Sequence, residues 1–416
     1  MTGAIFIDTG AGSGMEQEAD PLIEATPFRG HALNDIMSGI SSVWSGIAGG
    51  SPPGSYRSPL EKMGFDDVQS SIIVDIAKTR KNAGAKYADG RSLFFTSEGL
   101  RWATPDPAAR HCALRISRAL VMDVTCGQGG QVLALCELSE RVIAVDIDPL
   151  NCLLTSMNCI AKGITNALVV NSDCLDSAVI GLAEEGCAIF SDPARPPSST
   201  ERTFEEIVPD PREVMNAFDH AAGGMCFEVP PYISPGRIDI DCEAEYVSLD
   251  GRLNRLNLYT GDLVLGERSA VVLPSGATLR GRFSDRQEHS GSRRYVHAHE
   301  IDPAVVKAGL ADLLPEELGI DGSLVRLDDR RSLLLSDELT QSPFLINSYR
   351  ILADPVTEKD LDAALRRVGA GSVTIRYPVE PGEYWTVRRG LEKDLTGNRK
   401  VQLFKGDAYM ILEKLG

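Results

Sequence analysis

Between about residues 91 and 275 the chain alternates short β-branched runs with amphipathic stretches, the pattern of a parallel sheet joined by crossover helices. Five strands are predicted there, at Ala119–Val124, Arg141–Ile147, Ala167–Asn171, Cys187–Ser191 and Met225–Val229. Two longer runs follow, Glu243–Tyr259 and Ser269–Leu273, with no room for a helix between them, which predicts an antiparallel pair at one sheet edge. From about 21 to 90 the periodicity is helical and includes Val68–Tyr87, whereas residues 1–20 are glycine-rich and expected to be loose. Ile36 to Tyr56 carries no charge, but its apolar residues Ile36, Met37, Ile40, Val43, Trp44 and Ile47 fall on one helical face. Asn34 is the expected cap and Gly49-Gly50 the expected stop, so an amphipathic helix packed on the body is predicted, with no membrane span. The expected organisation is a loose segment and helical region (1–90), an α/β domain (91–276), a polar linker (277–293) and a small α+β domain (294–416).

Composition narrows the function classes. The 416 residues include 42 basic and 59 acidic ones, a net charge of −17, which excludes a wholly basic nucleic-acid coat but not a local basic patch. Nine cysteines without a CxxC pair predict reduced, buried thiols in a cytoplasmic protein. The start, MTGAIFIDTG, has no basic segment ahead of an apolar core and predicts no signal peptide.

Candidate chemistry gathers at the predicted strand ends. The first strand runs into Asp123-Val-Thr125-Cys126-Gly127-Gln-Gly129-Gly130, where glycines let a ligand approach the backbone and open a helix facing it. A dinucleotide GxGxxG fails, because Val132 stands at the third glycine position. Asp146, 23 residues after Asp123, ends the second strand where a carboxylate can accept ribose hydroxyls, and Asp173 follows the third strand where it can accept from an adenine amino group. Asp192-Pro193-Ala194-Arg195 follows the fourth; Pro193 stiffens the backbone so that the Asp192 carboxylate can point at a nucleophile. Arg195 suits a phosphate or a donor carboxylate, and equally a surface ion pair. Two other motifs are set aside: Asp8-Thr9-Gly10 lacks the second triplet of an aspartic protease, and His297-x-His299 lacks a third metal ligand and is read as a solvated strand face.

These blocks resemble the class I S-adenosylmethionine-dependent methyltransferases that carry a C-terminal THUMP-like domain. The resemblance spans roughly residues 85–416. It rests on Phe95-Thr-Ser-Glu-Gly-Leu-Arg-Trp-Ala-Thr104, Ala109-Arg-His111, Cys126 to Gly130, Ala144-Val-Asp-Ile-Asp-Pro149, Asp192 to Arg195, Glu245-Tyr-Val-Ser-Leu249 and Ile301 to Leu310. Where the family has a second arginine, this chain has Pro196. The resemblance implies a Rossmann-like seven-stranded sheet, S-adenosyl-L-methionine as donor, and an RNA target. It also implies a donor set of Asp123, Thr125, Cys126, Gly127, Gly129, Gly130, Asp146, Ile147, Asp173 and Cys174, with Asp192, Pro193 and Arg195 on the catalytic side.

Charge distribution adds to the RNA expectation. Residues 361–416 carry ten basic and seven acidic residues, +3, so the rest of the chain carries −20. Arg366-Arg367, Arg376, Arg388-Arg389 and Arg399-Lys400 interleave with Tyr377, Tyr384, Trp385 and Phe404, a composition suited to phosphate contact and base stacking. The expected activity is direct methyl transfer to RNA. The alternatives are a small-molecule or protein methyltransferase, and a catalytically idle RNA-binding or assembly factor.

Overall fold

The computed structural model describes residues 5–8, 21–193, 206–233, 238–283 and 294–415. Two compact units emerge, one formed by Met1–Cys242 with Leu256–Leu265, the other by Glu243–Arg255 with Gly266–Gly416.

In the first unit, β1 (Ile5–Asp8) lies in the segment expected to be loose and pairs antiparallel with residues 168–171. Helix α1 (Leu33–Ala48) buries Leu33, Ile36, Ile40 and Val43, as the apolar stripe predicts. Its cap is Ala32 rather than Asn34. Helix α2 (Asp67–Ala83) is opened by Asp66, whose carboxylate accepts from Gln69 N (2.8 Å). Short α3 (Ser97–Trp102) and α4 (Asp106–Ile116) lead into the sheet. Then come β2 (Leu120–Asp123), α5 (Gly130–Leu138), β3 (Arg141–Asp146), α6 (Pro149–Lys162), β4 (Ala167–Asn171), β5 (Cys187–Ser191), α7 (Pro211–Phe218) and β6 (Ala222–Val229). β2 and β5 are buried along their whole length, as parallel strands covered on both faces require. Their order is β4-β3-β2-β5-β6, all parallel, with residues 256–259 antiparallel beside β6. This arrangement brings the carboxyl ends of β2, β3, β4 and β5 to one edge, through the registers Asp123↔Phe190, Asp123↔Ala144 and Asp146↔Asn171.

The run Glu243–Tyr259 is two strands, β7 (Glu243–Leu249) and β8 (Arg252–Tyr259). Asp250 (φ 51°) and Gly251 (φ 71°) make the break, the left-handed pair that a tight hairpin turn requires. In the second unit β7 pairs with β9 (Arg268–Leu273) in parallel, correcting the antiparallel expectation. Residues 277–281, expected as linker, form β10 (Ala277–Gly281) against β9; residues 284–293 lie outside the described residues. Among the described residues, ten strands therefore precede residue 284, where seven were expected.

The second unit continues with β11 (His297–Ile301), α8 (Pro303–Ala308), β12 (Gly322–Asp328), β13 (Arg331–Ser336), β14 (Leu345–Val356), α9 (Leu361–Arg367), β15 (Ala370–Ile375), α10 (Tyr384–Glu392), β16 (Arg399–Lys405) and β17 (Tyr409–Lys414). Its seven-stranded sheet runs β12-β13-β11-β14-β17-β16-β15 over a core that includes Leu333, Leu335, Tyr349, Phe404 and Leu412. His299 is buried, its ring bonded to Ser348 Oγ, Ser336 Oγ and the Glu338 carbonyl, so the pair with His297 is not a solvated strand face. No cluster able to hold a metal ion occurs among the described residues.

Candidate active site

The glycine turn is built from β2 outward. Val124 N donates to Phe190 O (2.9 Å) and Cys126 N to Val145 O (2.8 Å), so the turn stays zipped to both neighbouring strands. Gly127 (φ 53°) and Gly129 (φ 87°) take left-handed conformations, and Gly129 caps α5. A Cβ on Gly127 would meet no atom within 4 Å, so this backbone faces open space. Thr155 Oγ1 donates to Gly127 O (2.9 Å) and steadies the turn from α6.

Asp146 stands at the end of β3. One carboxylate oxygen accepts from Gly127 N (2.8 Å), the other from Asp148 N (2.9 Å) and Asn151 Nδ2 (3.2 Å). Burial raises its pKa above the ordinary carboxylate range, and these three bonds work against that rise. Asp148 caps α6 through Leu150 N (2.8 Å), with Pro149 in the first turn. Between the two acids Ile147 projects outward, 72% exposed, an apolar plate beside a carboxylate. Asn171 Nδ2 bonds the carbonyls of Asp146 and Ile147 (3.0 Å each), fixing this corner. Asp173 is exposed and accepts from Leu175 N (2.9 Å). Cys174 is buried and its thiol pushed up to about 12 by burial; burial also raises Cys126 well above the ordinary thiol range.

Asp123 is fully buried: one oxygen accepts from Thr125 N (3.2 Å), the other has no partner. It therefore shapes the turn from beneath. Gly130 is likewise covered, by the Tyr87 hydroxyl, the Ala103 methyl and the Thr104 backbone nitrogen. Beyond β5, Asp192 is half-buried and Pro193 buried. Asp192 N donates to Thr125 Oγ1 (2.7 Å), which ties the loop after β5 to the glycine turn. Arg195 lies outside the described residues. The sequence reading missed Thr96, Gln128, Asn151, Thr155 and Asn158, neutral side chains that hold the turn and its neighbours by hydrogen bonds.

The strand ends thus offer an open glycine backbone, a carboxylate held in place by three hydrogen bonds, an exposed apolar side chain and, one strand over, a second acid. That set fits a nucleoside-containing ligand lying across β2–β4. Comparison with known proteins agrees. The family of RNA cap guanine-N2 methyltransferases matches residues 118–202. Two uncharacterized S-adenosylmethionine-dependent methyltransferases from strains of Mycobacterium tuberculosis are 27% identical over 322 residues, covering 73% of this chain and 84% of theirs. A crystal structure described as a methyltransferase from Porphyromonas gingivalis superposes with a TM-score of 0.60 at 15% identity, covering 85% of this chain and 92% of that one. The chain has the class I methyltransferase fold, and its relatives and the family match support an S-adenosylmethionine-dependent methyltransferase. The same relatives support S-adenosylmethionine as the methyl donor. No helix among the described residues of this methyltransferase is long and apolar enough to cross a membrane.

Proposed function

We propose that this methyltransferase acts on RNA, by direct transfer of the methyl group to a nucleobase nitrogen presented at Asp192. The observation that supports the reading is the 2.7 Å bond from Asp192 N to Thr125 Oγ1, which ties the loop after β5 to the glycine turn. The family match supports the RNA half of it, because residues 118–202 span both the glycine turn and Asp192.

In this reading Asp146 accepts the ribose hydroxyls of the donor, Ile147 covers one adenine face, and Asp173 accepts from the adenine amino group. The open space at Gly127 admits the donor to the backbone. The bound donor supplies an electrophilic methyl on a sulfonium, so the protein's share is alignment and exclusion of water. Asp192 orients the nucleophilic nitrogen and takes its proton as the new C–N bond forms. Pro193, buried behind it, keeps that loop in place.

The second unit supplies the surface for the nucleic acid. Arg399 N donates to Gly369 O (3.1 Å), which brings Arg399-Lys400 to the same end of the sheet as Arg366-Arg367. Trp385 is 63% exposed, with the Arg388 guanidinium 5.5 Å from its ring centroid, ready for a stacked base. Arg376 and Phe404 serve the interior instead: Arg376 pairs with the buried Glu300 (2.8 Å), and Phe404 lies in the core.

The test is single-turnover methyl transfer from radiolabelled donor to cellular RNA. Asp192→Ala is expected to slow transfer by roughly 10²- to 10⁴-fold with donor affinity unchanged. Full transfer by the folded variant would remove Asp192 from the chemistry. Labelling of a small molecule or a protein, with RNA left unlabelled, would overturn the substrate.

A further inference from the structure

Two side-chain amides and a threonine join the segment ahead of the sheet to the Asp146 carboxylate. Thr96 N donates to Gln128 Oε1 (2.9 Å). A backbone N–H only donates, so the Gln128 oxygen must face it and its NH₂ must face away. That NH₂ donates to Thr96 Oγ1 (2.9 Å) and to Asn151 Oδ1 (3.2 Å). The Asn151 oxygen is then committed to Gln128, and its own NH₂ is left to donate to Asp146 Oδ1 (3.2 Å). Each link has one possible direction, and the chain ends on a carboxylate.

The anchor of this chain is firm. Thr96 caps α3 by accepting from Gly99 N (3.0 Å), and Asp75 of α2 accepts from both Ser97 N and Ser97 Oγ (2.8 Å each). Asn158 holds Gln128 O (2.8 Å) and brackets Phe94 through its N (2.7 Å) and O (3.0 Å). The fit over Gln128 is close: a Cβ on Gly99 would lie 1.9 Å from its side-chain oxygen.

We propose that Gln128 is a positioning residue of the donor site, setting through Asn151 the orientation of the Asp146 carboxylate toward the donor's ribose. The proposal rests on the reading that Asp146 holds that ribose. It also gives the N-terminal helical region a role, since α2, through Asp75 and Ser97, seats the segment from which the chain of amides starts.

The decisive variant is Gln128→Glu. Its carboxylate still accepts from Thr96 N but has no hydrogen to give Asn151. The added negative charge attracts a net-positive donor, so any loss of affinity opposes the electrostatics. Calorimetric titration with S-adenosylmethionine is expected to show a roughly two- to tenfold weaker affinity, the worth of one neutral hydrogen bond. In an Asp146→Asn background the same change is expected to cause no further loss, since both act on one contact. Gly99→Ala, which displaces the Gln128 side chain without altering its chemistry, is expected to repeat this pattern and serves if Gln128→Glu fails to fold. Full affinity in Gln128→Glu, or losses that add to those of Asp146→Asn, would overturn the positioning role while leaving the donor site intact. Unchanged affinity in Asp146→Asn alone would instead remove the donor-site reading, and this proposal with it.

Discussion

Asp123 carries the sharpest electrostatic conflict among the turn residues. Its carboxyl is fully buried, one oxygen has no partner, and Asp192 and Asp146 add negative potential. Burial pushes its pKa well above the ordinary carboxylate range, and the bond from Thr125 N offsets only part of the shift. A raised pKa means that the folded protein holds the proton more tightly than the unfolded chain. The resulting stabilisation is complete below the unfolded pKa of about 3.9 and is lost as pH rises toward the folded value. Asp123→Asn keeps an oxygen for Thr125 N and needs no ionisation. Its unfolding free energy is expected to exceed that of the parent at neutral pH, by about 1.4 kcal/mol for each pKa unit that burial adds to Asp123. The gap should widen from about pH 4 upward. Denaturant titrations at several pH values check this, and a pH-independent difference would show that Asp123 titrates in the folded protein as it does in the unfolded chain.

At the scale of the element, the turn between β2 and α5 separates two kinds of glycine. Gly127 and Gly129 both have positive φ, so alanine at either is strained by roughly 1 kcal/mol. Their surroundings differ: a Cβ on Gly129 would sit 3.1 Å from Thr155 Oγ1, whereas one on Gly127 meets nothing. Gly127→Ala is therefore expected to lower stability by about 1 kcal/mol while abolishing detectable donor binding, because its methyl enters the space assigned to the donor. Gly129→Ala is expected to lower stability further, through the added crowding of α6. Thermal unfolding with donor titration measures both, and normal binding by Gly127→Ala would place the donor elsewhere. The turn was legible in the sequence because its glycines follow an apolar run that had to be a buried strand. For the same reason β4 and β5 match their predicted bounds. Strand partners were less legible. β1 is four residues in a glycine-rich stretch, and β9 reads the same whether its neighbour is parallel or antiparallel. Asp146 and Asp192 stood out as acids at strand ends. Gln128, Asn151 and Thr96 did not, since an amide gains its meaning only when α3 folds onto the turn.

Over the whole molecule, charge is divided unevenly enough to say where RNA would be held under the proposed function. The chain ahead of residue 361 carries −20 and repels phosphates, whereas residues 361–416 carry +3. Within that C-terminal part, Arg366, Arg367, Arg399 and Lys400 gather at one end of the β15–β16 pair. If these four contact phosphates of a single strand, log affinity should fall with log salt at a slope near −0.7 per contact, so a fourfold rise in salt costs roughly fiftyfold. Replacing all four with alanine is expected to flatten the slope and leave donor affinity untouched, because the proposed donor residues all precede residue 175. Trp385→Ala is expected to act differently, losing about 1–3 kcal/mol of RNA affinity with the slope preserved, since stacking releases no counterions. Anisotropy titrations of a labelled single strand at several salt concentrations separate the two effects. An RNA affinity indifferent to salt and to all five substitutions would move the nucleic acid off this surface.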